Sequence, residues 1–557
     1  MSTVINISYF QGHFDFERNI PQEYLQKLNE YNKRCTEKLN LEEMRKNIPH
    51  TLLNQLFDIG YNDTYFLKSM QLQTIDIILN KALTFQCLIT KKILKSQKCF
   101  YYLLKVVEHA AMEYDDISVY YFDNETHPFF VGISNGSNHQ VLSTQVLFIY
   151  YPEQKHIYRV RSFVGLHEEA IEDTCTNIHL YYRNNEISST NFISSMFGYC
   201  YNIGHTYWND VSGFKFLLDM DLLRHIDQFI IGPYDYYNIY EYLKNNNFNV
   251  IRENEMKNIS GILQNKSLLV KFDDWFMYED LKEWTLVNNK LEDEQEIEEI
   301  KTIKANYYPI ITINIRGVFR YLLEQEKVFA HIINELYNIY PKMFILIDGF
   351  VSSTNTDLTS YKNEGVRANA DIFTTSYQTI LDNLLGNIKC PNYKSLIFKN
   401  LATQLAWLSI SDYGVMQLGA GAFNHVWLMN KKALFIGRNH VVNDELLAHI
   451  YHDFYYRENR DFTTYVHPSI VDFTVTHTKG GFSIDWRVLF YYMYRDLLIL
   501  EKENFNLSQY ENFVKYNIYQ SWGTPQISME ELLTYEVCDG AKKLKSVIES
   551  LYLRTDN

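Results

Sequence analysis

Long apolar runs are missing from this chain. None reaches 18 residues, so the sequence offers no membrane span. The opening stretch, Met1 to Asn19, lacks a basic start with a long apolar core, and we read no secretory signal in it. Basic charge is in deficit too: 52 Lys and Arg face 67 Asp and Glu, for a formal net charge of −15. A general nucleic-acid binder needs a basic surface to displace counterions, so that class is set aside, though a local basic groove is not. Cysteine is scattered. Cys35, Cys87, Cys99, Cys175, Cys200, Cys390 and Cys538 show no Cys-x-x-Cys spacing. An odd, dispersed set points to reduced thiols in a cytoplasm and away from a zinc site. Two enzyme signatures are absent as well. There is no Gly-x-Ser-x-Gly elbow and no phosphate loop ending in Gly-Lys-Ser/Thr, which argues against common hydrolase and nucleoside triphosphatase designs.

What is present is an order of elements. At 557 residues the chain is too long for one ordinary core. Residues 1–115 read as mainly helical: Leu25, Leu28, Tyr31 and Leu39 recur among charges, and Gln71 to Leu94 and Phe100 to Met112 continue the pattern. We expect a helical accessory domain there that docks on the rest or binds a partner. Residues 116–300 turn to short β-branched and aromatic runs, such as Ser118 to Phe122, Phe129 to Ile133 and Gln145 to Tyr151, and then alternate strand with helix. The acidic stretch 288–302 reads as a solvated helix or linker. Residues 301–500 give a second alternation, and 501–557 suggest terminal helices. This predicts an α/β protein: two Rossmann-like domains, mostly parallel in sheet, preceded by a helical domain.

Two stretches carry chemistry. In the second half, the run Leu401 to Arg438 reads helix, strand, glycine turn, helix, strand. Gly419-Ala420-Gly421 follows the apolar strand Tyr413 to Leu418 at once. Such a turn lets backbone approach a ligand, and the next helix presents free N–H groups suited to a diphosphate. The third glycine of the dinucleotide fingerprint is replaced by Asn424. Asn424 and His425 open that helix and are candidate phosphate or sugar contacts. Arg316 and Arg320 stand near a strand end, and Arg438 ends the last strand, where anionic oxygens would lie. A tight turn that binds nothing is the plainer reading of the same residues.

In the first half, Phe197 to Phe214 reads as an aromatic strand, a glycine, a histidine and a helix. His205 falls at a carboxyl strand end, where ligands of parallel sheets sit, and imidazole suits proton removal near neutral pH. Asn209 follows it at i+4, and Asp210 would orient the imidazole or itself serve as base. A capping histidine and a satisfied helix carboxylate is the alternative. Asp219-Met220-Asp221 sits in a helical run with its carboxylates on different sides, so we reject it as a metal site. His440, His449, His452, His467 and His477 lack an i, i+4 pair with a third ligand, and no metal is assigned.

Gly204-His205-x-x-Trp208-Asn209-Asp210 resembles a glycine-histidine segment of some bacterial polysaccharide glycosyltransferases. It is more distantly similar to one in the plant xylosyl- and arabinosyltransferase-like family. Asp412 to Gly421, followed by a tryptophan-containing helix and an apolar strand, resembles the donor-site end of those enzymes. Two α/β halves in series look like the GT-B fold of sugar-nucleotide-dependent glycosyltransferases, over roughly residues 125 to 500. A helical domain ahead of such halves is similar in architecture to the cytoplasmic N-glycosyltransferases of bacterial adhesins. The resemblance implies metal-independent transfer with no cofactor beyond a nucleotide-sugar co-substrate, expected to be UDP-linked. It implies a donor on Arg316, Gly419, Ala420, Gly421, Asn424, His425 and Arg438, with His205 and Asp210 catalytic and Trp208 and Asn209 on the acceptor side. The acceptor would be a glycan, a lipid-linked glycan or a protein. The expected place is the cytoplasm, and a capsule or lipopolysaccharide acceptor would imply peripheral contact with the inner membrane. Two other classes stay open: a sugar-nucleotide epimerase, and a non-catalytic nucleotide- or partner-binding protein on the same scaffold.

Overall fold

The computed structural model describes residues 2–7, 20–37, 63–108, 111–135, 146–160, 168–200, 203–272, 279–317, 321–352, 367–417, 423–437, 463–465 and 481–501. The chain divides into two compact units. One holds residues 1–288 with 353–357, and the other holds 289–352 with 358–557.

The first unit opens with β1 (Thr3–Ile7), the helices Gln22–Glu37 and Asp63–Asn80, and a small antiparallel pair, β2 (Leu83–Gln86) and β3 (Ile93–Ser96). Then come β4 (Cys99–Glu108), β5 (Ala111–Phe122), β6 (Phe129–Ser134), β7 (Val146–Tyr151) and β8 (His156–Val160). These form a six-stranded sheet in the order β1-β8-β7-β6-β5-β4, antiparallel except where β1 joins β8. Within the expected helical domain over residues 1–115, the described residues hold strands as well as helices. Two helices are there, but Phe100 to Met112 lies in β4 and β5, which pair from Cys99↔Tyr120 to Glu108↔Ala111. The stretch is almost continuously apolar, and such a run has no period to separate helix from strand. Its aromatic and β-branched content suits a pleated surface, and pairing with β5 decides the matter. Side chains then alternate as the pleat requires. Phe100 packs with Ile171, Cys175 and Ile178 of the helix Glu168–Asn184, while Tyr101 packs with Met196, Ile230 and Ile259 on the opposite face.

That opposite face meets the unit's second sheet. It is built from β9 (Ile193–Phe197), β10 (Gln228–Ile231), β11 (Val250–Arg252) and β12 (Leu268–Leu269), all parallel, in the order β11-β10-β9-β12. Counted along the chain, this is third, second, first, fourth. The winding reverses between β9 and β12.

The second unit repeats this winding on a larger, single parallel sheet. The acidic stretch becomes the helix Glu294–Asn306, started by Asp293, whose Oδ1 accepts the Glu296 N–H at 3.0 Å. Next come β13 (Ile310–Asn314), the helix Gln325–Ile339, β14 (Phe344–Asp348), the helix Arg367–Asn387, β15 (Tyr393–Ser395), the helix Leu401–Leu408, β16 (Tyr413–Gln417), β17 (Ala433–Ile436) and β18 (Thr463–Tyr465). The sheet is all parallel in the order β15-β14-β13-β16-β17-β18. In chain order that is 3-2-1-4-5-6, the doubly wound arrangement. Both faces are covered, which is why these strands read as unbroken apolar runs. Ile311, Ile313, Ile345 and Ile347 face the helices Gln325–Ile339 and Trp486–Glu501. Ile310, Phe344 and Leu346 face Trp407, Leu408 and Ile300. Residues 502–557 lie outside the described residues, as do His440, His449, His452, His467 and His477. Among the described residues no helix is long and apolar enough to cross a membrane.

Candidate functional site

Two strand-end neighbourhoods matter, one in each unit. In the first, β9 ends at Phe197 and the chain turns at Gly198, whose φ of +77° favours glycine. The turn is tight: a Cβ on Gly232, just past β10, would run into the Gly198 carbonyl. A helix begins at Ile203–His205, widens into π-helix over Thr206–Val211, and resumes α-helical geometry at Ser212–Asp219. π-Bulges gather at functional sites. The widened turn begins directly after His205 and contains Trp208, Asn209 and Asp210. Asn209 is half-buried, and its backbone carbonyl accepts from Ser212 Oγ at 3.2 Å. The backbones of His205 and Trp208 lie in this helix, but their side chains are outside those described.

Asp210 has a clear job. It is fully buried. Its Oδ2 accepts the Gly198 N–H at 2.7 Å, and its Oδ1 pairs with Lys271 Nζ at 2.9 Å. Lys271, just past β12, is 1% exposed. The pair therefore locks the ends of β9 and β12 together at the point where the winding reverses. Both oxygens of Asp210 are thus engaged with protein groups, an arrangement that holds the turn after β9 in place. Asp219 pairs with Lys215 and reaches Arg34 at 3.8 Å, and Asp221 pairs with Arg224 at 2.8 Å. Among the described residues no three His, Cys, Asp or Glu side chains converge as a metal-binding group.

In the second unit the reversal falls between β13 and β16. There a buried amide network closes the floor. Gln417, at the end of β16, donates through Nε2 to the Asn314 carbonyl at 3.0 Å and to Gln325 Oε1 at 2.9 Å. Its Oε1 accepts the Leu322 N–H at 2.8 Å. Gln325 Nε2 donates to the Arg316 carbonyl at 2.7 Å, and the Arg316 N–H donates to Gln325 Oε1 at 3.0 Å. Arg316, half-buried, is thus fixed by its backbone at the end of β13, where the sequence predicts it. Beside it, Asn314 Nδ2 donates to Asp348 Oδ2 at 3.2 Å, and the ring of Tyr377 packs on Gly317 and Gly349. Burial pushes the Asp348 carboxyl up from 3.8 to about 7, against the pull of the Asn314 amide and the Gly349 backbone N–H.

The sequence alone does not single out Gln417, Gln325, Asn314, Asp348 or Lys271. The available signal is a polar residue ending or following an apolar strand. The glycine turn Gly419-Ala420-Gly421, together with Arg320 and Arg438, lies outside the described residues. After it comes a π-helix, Asn424–Leu428, buried throughout. His425 is fully buried. Its Nε2–H donates to the Lys432 carbonyl at 3.2 Å, and burial holds the imidazole down to about 3. The ring is neutral at physiological pH, with Nε2 committed to the Lys432 carbonyl. Asn424 is 1% exposed, and its Oδ1 has no hydrogen-bond partner among the described residues.

The His425 ring needs the space left by Gly414 in β16, where a Cβ would run into Nε2. Gly414→Ala should cost about 1–3 kcal/mol from overpacking. Thermal melts check this: the penalty should shrink when His425 is also truncated to Ala.

No family model matches the sequence, and no curated protein matches it. Two solved structures show a faint likeness. One is a point mutant of S. aureus TarM in complex with Fondaparinux, alpha-GlcNAc-glycerol and UDP, at 9% identity over 78% of each chain and a TM-score of 0.15. The other is TarM, at 9% identity over 78% of this chain and 84% of that one, with a TM-score of 0.15. Superposition this poor fixes neither fold nor function.

Proposed function

We propose that the chain is a glycosyltransferase that moves a sugar from a nucleotide-sugar donor, UDP-linked, to a glycan, lipid-linked glycan or protein acceptor. One observation carries this reading: both units wind outward from a central parallel strand, and both hold a polar lock where the winding reverses. Ligands of doubly wound sheets sit at the carboxyl strand ends beside that reversal. Two such places in one chain suit a reaction with two substrates. The second unit takes the donor and the first the acceptor. The acceptor hydroxyl attacks the anomeric carbon, the bond from that carbon to the diphosphate oxygen breaks, and the hydroxyl proton passes to His205. The Gly419–Gly421 backbone with Arg316 and Arg438 neutralises the departing diphosphate without a metal ion.

The test is a thermal-shift panel of UDP, GDP, CDP, CMP and ADP, without and then with magnesium. A bound nucleotide raises apparent stability by mass action. We expect a shift with UDP that ignores magnesium and disappears in Gly421→Asp. Silence across the panel in a folded protein would favour a non-catalytic binding role. Normal turnover in a His205→Ala protein that still binds donor would remove the base assignment.

A further inference from the structure

Two buried oxygens at neighbouring strand ends draw the eye. Asn314 Oδ1, at the end of β13, and Asp348 Oδ1, at the end of β14, both lack a hydrogen-bond partner among the described residues. Both side chains are 2% exposed. The two residues sit directly across from each other in the sheet register and touch through Asn314 Nδ2 and Asp348 Oδ2. The amides next to them, Gln417 and Gln325, have their polar atoms paired, so donors are not scarce in this neighbourhood as a whole. An unmet buried acceptor bears the full penalty of its lost hydration. Two side by side form a standing defect, and such defects call for a reason. Their place supplies one, since they lie beside the reversal between β13 and β16.

The atoms also say what would fill them. Above about pH 7, where the Asp348 carboxyl is ionised, both accept, so the missing partner must donate. A phosphate, which offers acceptors, does not meet that need; adjacent hydroxyls do. We propose that Asn314 and Asp348 form a subsite that accepts hydrogen bonds from neighbouring hydroxyls of a bound sugar ring, either the nucleotide ribose or the transferred sugar. This rests on the nucleotide-sugar reading above and adds the part of the ligand that this corner holds.

Titration calorimetry tests it with UDP, 2′-deoxyuridine diphosphate and UDP-glucose, on the full chain and on Asp348→Asn. The variant keeps an acceptor for Asn314 Nδ2, so it should fold. If the ribose is held, UDP binds Asp348→Asn about tenfold more weakly, and the deoxy compound, lacking one of the two hydroxyls, binds wild type more weakly than UDP does. If the transferred sugar is held, UDP is indifferent to the change and UDP-glucose loses about tenfold. UDP and UDP-glucose both binding the variant within about twofold of wild type would overturn the subsite and leave the nucleotide reading standing. No binding of any of the three to the folded wild-type chain would remove both.

Discussion

Replacing Asp348 with Asn should raise the unfolding temperature, and raise it more at pH 8 than at pH 5. The carboxyl is buried at the end of β14, and burial lifts it from 3.8 to about 7. Between those two values the folded chain holds a proton that the unfolded chain has released. Stability therefore falls as pH climbs from about 4 to about 7, and stays low above that. The full cost is about 4 kcal/mol at pH 8 and about 1–2 kcal/mol at pH 5. Asn removes the titration and keeps the shape and the bond from Asn314. Calorimetric melts at the two pH values measure the difference. An equal shift at both, or a loss at both, would mean that Asp348 is not carrying an unmet charge. A stabilising change at a polar strand end is also what a functional site predicts, since such sites retain groups that the fold alone would discard.

Lys271→Met should act in the opposite direction and strongly. It leaves Asp210, fully buried, without its cationic partner at 2.9 Å. Breaking one side of a buried pair costs about 3–5 kcal/mol, because the remaining charge is stranded. Urea denaturation should show the loss. The double variant Asp210→Asn with Lys271→Met should recover part of it, since the amide oxygen still accepts the Gly198 N–H and no charge remains. A Lys271→Met protein as stable as wild type would show that the pair does not hold β9 and β12 together.

The second unit is largely legible in the sequence. Ile310 to Asn314, Phe344 to Asp348, Tyr413 to Gln417 and Ala433 to Ile436 are short apolar runs flanked by glycine or polar residues, and they are strands. Covered on both faces, they have no polar alternation to blur them. β4 is not legible for a related reason. Its apolar run reads as helix because ten residues without a period suit either, and only the partner strand decides. Site residues are harder still. Asp348 looks like a turn residue, Gln417 hides at the edge of an apolar run, and Lys271 stands alone between Val270 and Phe272. Each gains meaning from strands distant in sequence. His425 and Asp210 are visible as chemistry, but their burial is not, and burial changes what each can do.

The short strand β1 carries a consequence of its own. It lies outermost, and its five residues pair in parallel with β8, from Thr3↔His156 to Ile7↔Val160. Remove it and β8 becomes a bare edge, with a row of unpaired backbone groups around Ile157 and Val160. A bare edge of that kind recruits strands from other molecules. Residues 3–7 thus cover the β8 edge with a strand only five residues long. A chain without residues 3–7 would therefore expose an edge on β8 while leaving the strands β13 and β14, which belong to the other unit, with all their own pairings.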